Sequence, residues 1–231
     1  MYKLLLCRGS PRYNIPEVEK YNSKMPCDNL LSAFEWEFKS YQKMRDYFLA
    51  GDWDYMVLAT DDIVVKPEHI KSLQKDLDGK DYDVLSGMIN VDEHDWGYVD
   101  GNVNICRSLA LKNKKLRAYE WTTYEELPKE NIFTVKFAGF GLTAIHRRIV
   151  EIYEFAGDGI FKGKGMQFGA SLDFVFCWWC HENQIDIYCD KRIFMQHLRT
   201  SGSSQCGYTS PKMYFIPKGK KKERIIMGRM K

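Results

Sequence analysis

Asp61 and Asp62 stand side by side at the end of the apolar run Tyr55-Met56-Val57-Leu58-Ala59. Two adjacent carboxylates with no basic partner nearby in sequence repel each other, and a divalent cation taking oxygen ligands relieves that repulsion most simply. A metal held there would carry a diphosphate. The structural reading of the same pair is a capped turn before Pro67, since acidic residues favour such positions. Arg8, after the apolar opening Tyr2 to Cys7, and Gly139, after the β-rich run Ile132 to Ala138, fall at comparable points. In open α/β sheets, ligands bind beyond the carboxyl ends of the strands, so Arg8, Asp61, Asp62 and Gly139 converge on one expected nucleotide-diphosphate site.

The elements that must position these residues follow from hydrophobic period. Tyr2 to Cys7 reads as a buried strand that leaves the sheet at the polar turn Arg8 to Asn14. From Asp28, apolar residues at Leu30, Phe34, Phe38, Tyr41, Met44 and Phe48 predict one helix, with Asp28 as N-cap and Gly51 as stop. Tyr55 to Ala59 is then a strand, and Pro67 opens a helix carrying Ile70, Leu73 and Leu77 on one face. Strand and helix in alternation imply a parallel sheet. Asp83 to Val91 reads as the next strand, and Asp92 to Gly101 as a polar, aromatic loop in which Trp96 is a candidate for sugar contact. Arg147 to Phe155 and Leu172 to Asn183 are the expected later helices, the second with Phe174, Cys177, Trp178 and His181 on one face. The glycine-rich stretch Gly157 to Gly169 lies between them, and Ile185 to Cys189 and Ile193 to His197 close the core as short strands.

The segment Met56-Val57-Leu58-Ala59-Thr60-Asp61-Asp62-Ile63-Val64-Val65-Lys66-Pro67 resembles the strand, Asp-x-Asp element and following helix of the family-two glycosyltransferases with the GT-A fold. Three further pieces resemble the same family in the same order. Lys136 to Arg148 looks like its glycine-bearing strand before a helix, Ser171-Leu172-Asp173-Phe174 like its Glu-Asp helix start, and Gln184 to Asp190 leading to Gln196-His197-Leu198 like its closing strand and metal-site histidine. Together they cover roughly 55 to 198. The resemblance implies an α/β fold of GT-A-like, Rossmann-like type, with a mixed, mainly parallel sheet flanked by helices. It implies Asp62 and His197 as ligands of Mn²⁺ or Mg²⁺, Asp61 as the middle acid, and Asp173 as the base beside the acceptor hydroxyl. Thr60 stands where the family has its first Asp, and Leu172 where it has Glu.

On that resemblance the expected function is a metal-dependent hexosyltransferase-type enzyme that moves a sugar from a UDP- or GDP-sugar to a hydroxyl, inverting the anomeric centre. The acceptor would be a glycan, a lipid-linked molecule or a protein. The competing readings are an inactive nucleotide-sugar-binding module of the same fold and a metal-dependent nucleotidyltransferase. The second of these normally uses a basic or glycine-rich phosphate loop, and the chain has no Gly-x-x-x-x-Gly-Lys-Ser/Thr sequence. His181 is expected in the core, and of the adjacent Trp178 and Trp179, which could stack on a sugar, at least one is expected to pack, because neighbouring helical positions point different ways. Asp173 has a structural reading too, as a helix cap, and His197 as an ordinary core histidine.

Composition sets the frame. At 231 residues, 45% hydrophobic and 14% aromatic, the chain supports one large domain, expected over 1–215 with a nucleotide-binding half at 1–66 and an acceptor half at 67–215. A net charge of +3 with mixed signs does not point to nucleic acid. The basic excess is local, at Lys218 to Arg224 in an expected C-terminal tail, 216–231, that could touch an anionic membrane surface. Seven cysteines and an opening too short for a signal peptide lead to the expectation of a reduced, cytoplasmic protein, with Cys177-Trp178-Trp179-Cys180 as core thiols.

Overall fold

The computed structural model describes residues 1–9, 20–33, 37–60, 62–89, 102–112, 116–155, 172–198, 212–219 and 223–225. Strand β1 (Leu4–Gly9) is buried at all six positions. Such a strand has apolar layers on both faces: Leu5 and Cys7 join one core cluster, and Leu4 and Leu6 join the other. Its parallel neighbours are β2 (Asp28–Ala33) and β3 (Tyr55–Thr60). Between β3 and β5 (Val84–Ile89) runs β10 (Thr143–His146), antiparallel to both. β5 in turn pairs in parallel with β11 (Ile187–His197), which pairs antiparallel with the two-residue β4 (Ile63–Val64) and with β8 (Ile132–Val135). β12 (Lys212–Ile216) extends the sheet antiparallel to β2, followed by β13 (Glu223–Ile225). A smaller sheet joins β6 (Asn102–Lys112), β7 (Leu116–Thr123) and β9 (Phe137–Ala138).

Among the described residues, four helices cover the main sheet. Helix α1 (Glu37–Ala50) places Tyr41, Met44 and Phe48, all fully buried, in the first cluster. Helix α2 (Pro67–Gly79) places Ile70, Leu73 and Leu77 in the second, on the opposite face. Helices α3 (Arg147–Ile152) and α4 (Leu172–Glu182) return to the first layer through Ile149, Val150, Leu172, Phe176, Cys177 and Cys180. The result is the expected α/β architecture: a mixed sheet flanked by helices, with an antiparallel strand set into its middle.

Several expectations need correction. Asp28 does not cap a helix: Asp28–Ala33 is a strand, and α1 begins at Glu37. Leu30 and Leu31 are consecutive and both buried, as a strand between two apolar layers requires and a one-sided helix does not. The Asp28 carboxylate instead accepts the Trp53 Nε1–H at 2.8 Å and the Lys218 backbone N–H at 2.9 Å. The two closing strands are one, β11, whose register against β5 shifts between Cys189 and Phe194. His181 is exposed, edge-on to the Trp178 ring at 5.5 Å, and the buried face of α4 is formed by Leu172, Val175, Phe176, Cys177, Trp178 and Cys180. Within the expected basic tail, Glu223–Ile225 is a sheet strand paired with β12. No helix among the described residues is long and apolar enough to cross a membrane.

Candidate functional site

Strand direction decides where chemistry gathers. β3 and β5 are each antiparallel to β10 and so run the same way, β1 is parallel to β3, and β11 is parallel to β5. The carboxyl ends of β1, β3, β5 and β11 therefore lie along one edge of the sheet. On that edge stand Arg8, Thr60 and His197, with Asp62 in the turn that follows β3.

Asp62 is the centre of the site. Its Oδ2 lies 3.0 Å from His197 Nε2, and its Oδ1 accepts the Thr60 hydroxyl at 2.7 Å. The backbone repeats the connection: the Leu198 N–H donates to the Asp62 carbonyl at 2.8 Å, and His197 is paired with Ile63 across the β4–β11 ladder. Thus the sheet brings into contact two side chains that stand 135 positions apart in the chain. Both are partly open to solvent, at 22% for His197 and 27% for Asp62, so the pair is sheltered and still reachable by a ligand. Burial by itself would raise the Asp62 carboxyl, but the hydrogen bond and charge of His197 and the bond from Thr60 outweigh it and hold the group below the ordinary aspartate value. An ionised carboxylate only accepts, so without a metal this contact places a proton on His197 Nε2, and an ion bound at Nε2 would take that proton's place.

Arg8, expected as a cofactor contact, is 2% exposed, and its Nη1 donates to the Ile63 carbonyl at 3.2 Å. It braces the turn that carries Asp62. Gly139 is buried between β9 and β10, where its carbonyl accepts the Gly141 N–H at 2.7 Å and the Thr143 hydroxyl at 3.3 Å. The adjoining Phe140 carbonyl accepts the Thr60 N–H at 3.1 Å, which ties the glycine turn to the end of β3. Asp173 lies in the first turn of α4, half-buried, with Oδ1 accepting the Phe174 N–H at 2.8 Å. A carboxylate there is favoured by the helix dipole. Its helix packs on the same glycine segment, with the Phe174 ring 4.5 Å from that of Phe137 and Cys177 Sγ donating to the Ala138 carbonyl at 3.4 Å.

Asp61, Trp96 and the stretch Gly157 to Gly169 lie outside the described residues. Trp178 is buried, and Trp179 packs on Tyr153 and Phe176 at 4.9 and 6.4 Å, so both indoles serve the core. Cys177 and Cys180 are buried free thiols, and burial pushes both up. Thr60 was legible in the sequence only as a missing acid. Its hydroxyl, two residues before Asp62, is the signal that local reasoning passed over.

The fit of a divalent ion can be judged from this geometry. Two ligand atoms bound side by side at ~2.1 Å from one octahedral ion stand about 3 Å apart. The Asp62 and His197 atoms already have that spacing, and one imidazole with one carboxylate suits Mn²⁺ better than Mg²⁺. No cluster of three or more His, Cys, Asp or Glu side chains with metal-site geometry occurs among the described residues.

Fold and edge together define an α/β protein of Rossmann-like architecture with its polar residues gathered at the carboxyl ends of the strands. Among solved structures, the chain is similar to A197 from STIV, at 14% identity and TM-score 0.50 over 99% of this chain and 98% of that one, which shows a shared fold. It also aligns with CMP:2-keto-3-deoxy-manno-octonic acid synthetase complexed with CTP, at 9% identity and TM-score 0.46 over 89% and 93% of the two chains. No protein-family model and no curated protein matches the sequence.

Proposed function

We propose that the protein is a metal-dependent glycosyltransferase that uses a nucleotide-diphosphate sugar and an acceptor hydroxyl. The observation that supports this reading most is the contact between Asp62 and His197, drawn from strands far apart in sequence to one sheet edge. The order Asp62, glycine turn, Asp173, His197 along the chain supports it further, as does the meeting of Asp62, His197 and the glycine turn at one end of the sheet. On this reading Asp62 and His197 hold Mn²⁺ or Mg²⁺, with Asp61 and the donor diphosphate completing the shell. The ion supplies positive charge that stabilises the departing diphosphate.

Asp173 accepts the proton of the acceptor hydroxyl as its oxygen bonds to the anomeric carbon. The bond from that carbon to the diphosphate oxygen breaks on the opposite face, so the anomeric centre inverts. General-base assistance of this kind is worth ~10²–10⁴-fold in rate. Arg8 and Gly139 act on the donor side, Arg8 by fixing the turn of Asp62 and Gly139 by close backbone approach. Asp62→Ala is expected to abolish metal-dependent donor binding, and Asp173→Asn to keep donor binding while losing transfer. Full transfer by both variants would remove the site assignment. The UDP or GDP base and the glycan, lipid-linked or protein acceptor are to be read from a panel of donors and acceptors in the same assay.

A further inference from the structure

A carboxylate on an aspartate turns readily about its last torsion, because sp³–sp² rotors have broad minima. Something must therefore choose which way the two oxygens of Asp62 face. Arg8 fixes the backbone of the turn through the Ile63 carbonyl, and Leu198 fixes it through the Asp62 carbonyl, and both of these bonds are made to backbone oxygens. The Thr60 hydroxyl does, at 2.7 Å from Oδ1, while Oδ2 faces His197. Thr60 is itself held: its N–H is bonded to the Phe140 carbonyl, and its Cα is in register with Gly9 at the end of β1.

We infer that Thr60 is a positioning residue that orients the Asp62 carboxylate, donating to Oδ1 so that Oδ2 is presented to His197 and to any ligand bound there. An acid at this place would have no proton to give at neutral pH and would repel Asp62. Threonine fixes the same carboxylate with an uncharged donor and leaves the site one negative charge poorer. The consequence for metal and donor binding rests on the proposed function, whereas the orientation of Asp62 does not.

The test uses the full chain, stripped of metal with a chelator, at neutral pH and labelled with ¹⁵N-histidine. The His197 Nε2–H is expected to give a resonance protected from solvent exchange, assigned by its loss in His197→Gln. In Thr60→Val and Thr60→Ala, folded as judged by their melting curves, that protection is lost; Thr60→Ser restores it. A folded Val or Ala variant with unchanged protection would overturn the inference, as would a Ser variant as impaired as the other two. Mn²⁺ alone, followed by electron paramagnetic resonance, gives a second readout. Removing the hydroxyl is expected to weaken Mn²⁺ by roughly tenfold or more, as loss of a group that orients a metal ligand does. A wild type that binds no Mn²⁺ overturns the metal reading of the site, and the imidazole resonance still decides the role of Thr60.

Discussion

Arg147→Met would test how the scaffold, as distinct from the site, is held. The Arg147 guanidinium gathers carbonyls at and just beyond the end of α1: Nη2 donates to Gly51 at 2.6 Å and Phe48 at 3.2 Å, Nε to Trp53 at 2.9 Å, and Nη1 more distantly to Leu49 at 3.4 Å. It also lies 4.8 Å from the Phe48 ring centre. Hydrogen bonds to a charged donor contribute ~1.5–3 kcal/mol each when buried. The side chain keeps 26% exposure, so water would reach some of the freed carbonyls and the three shorter bonds are discounted to about 2 kcal/mol together. Loss of the cation–π contact adds ~0.5–1 kcal/mol. Methionine preserves much of the packing volume and the backbone bond from Arg147 N to the Asp54 carbonyl. The expected net loss is about 3 kcal/mol, or a melting temperature lower by roughly 6–12 °C for a chain of this size. Urea unfolding followed by circular dichroism would measure it. A loss under about 1 kcal/mol would refute the capping argument, and an unchanged donor affinity in the folded variant is expected because Arg147 lies at the opposite ends of β3 and β10 from Asp62.

Two further outcomes follow from the strand that carries His197. Asp76 on α2 meets the exposed Arg192 and the fully buried Asp190 of β11; burial and the neighbouring Asp190 carboxylate raise Asp76 to about 6, while Arg192 overcomes burial to hold Asp190 below its ordinary value. A raised carboxyl stabilises the fold below its unfolded value of ~4 and loses that contribution as pH rises through 6. Asp76→Asn, which stays neutral, should therefore gain stability relative to wild type between pH 4.5 and 7.5 in urea titrations; a widening deficit over that range would show that the ion pair with Arg192 dominates. At Gly87, an added Cβ would stand 2.7 Å from Ile193 Cγ2 and 2.8 Å from the Ile193 carbonyl, where β11 shifts register. Gly87→Ala should cost ~1–3 kcal/mol by overpacking and also weaken Mn²⁺ binding by displacing His197, whereas a neutral effect on both would mean that β11 adjusts freely.

Much of the scaffold was legible because its signals are local. The period of Ile70, Leu73 and Leu77 after Pro67 gave α2, and the unbroken apolar run before Thr60 gave β3. Asp28 misled because its partners, Trp53 and the backbone of Lys218, are remote in sequence, so a half-buried sheet residue looked like a cap. The polar Asp190-Lys191-Arg192 looked like a break between two strands. In the fold Asp190 is fully buried against its own neighbour Arg192, and the strand continues through an irregularity. β10 was hidden for a different reason: alternating strands and helices imply parallel order, and nothing in Thr143 to His146 announces insertion between β3 and β5. At the site, Asp62 stood out by its carboxylate and His197 by the family resemblance, but their contact depends on the β4–β11 pairing. Thr60 carries no charge and so drew notice only as a departure, although its hydroxyl completes the arrangement.

The central claim is that the Asp62–His197 edge binds a nucleotide-diphosphate sugar through a divalent cation. Isothermal titration of the wild-type protein with UDP- and GDP-sugars, in Mn²⁺ and again in chelator, tests it most directly. Binding of at least one donor is expected in Mn²⁺, none in chelator, and none by Asp62→Ala under either condition. Donor binding that is equal with and without metal, or binding that survives intact in Asp62→Ala, would contradict it.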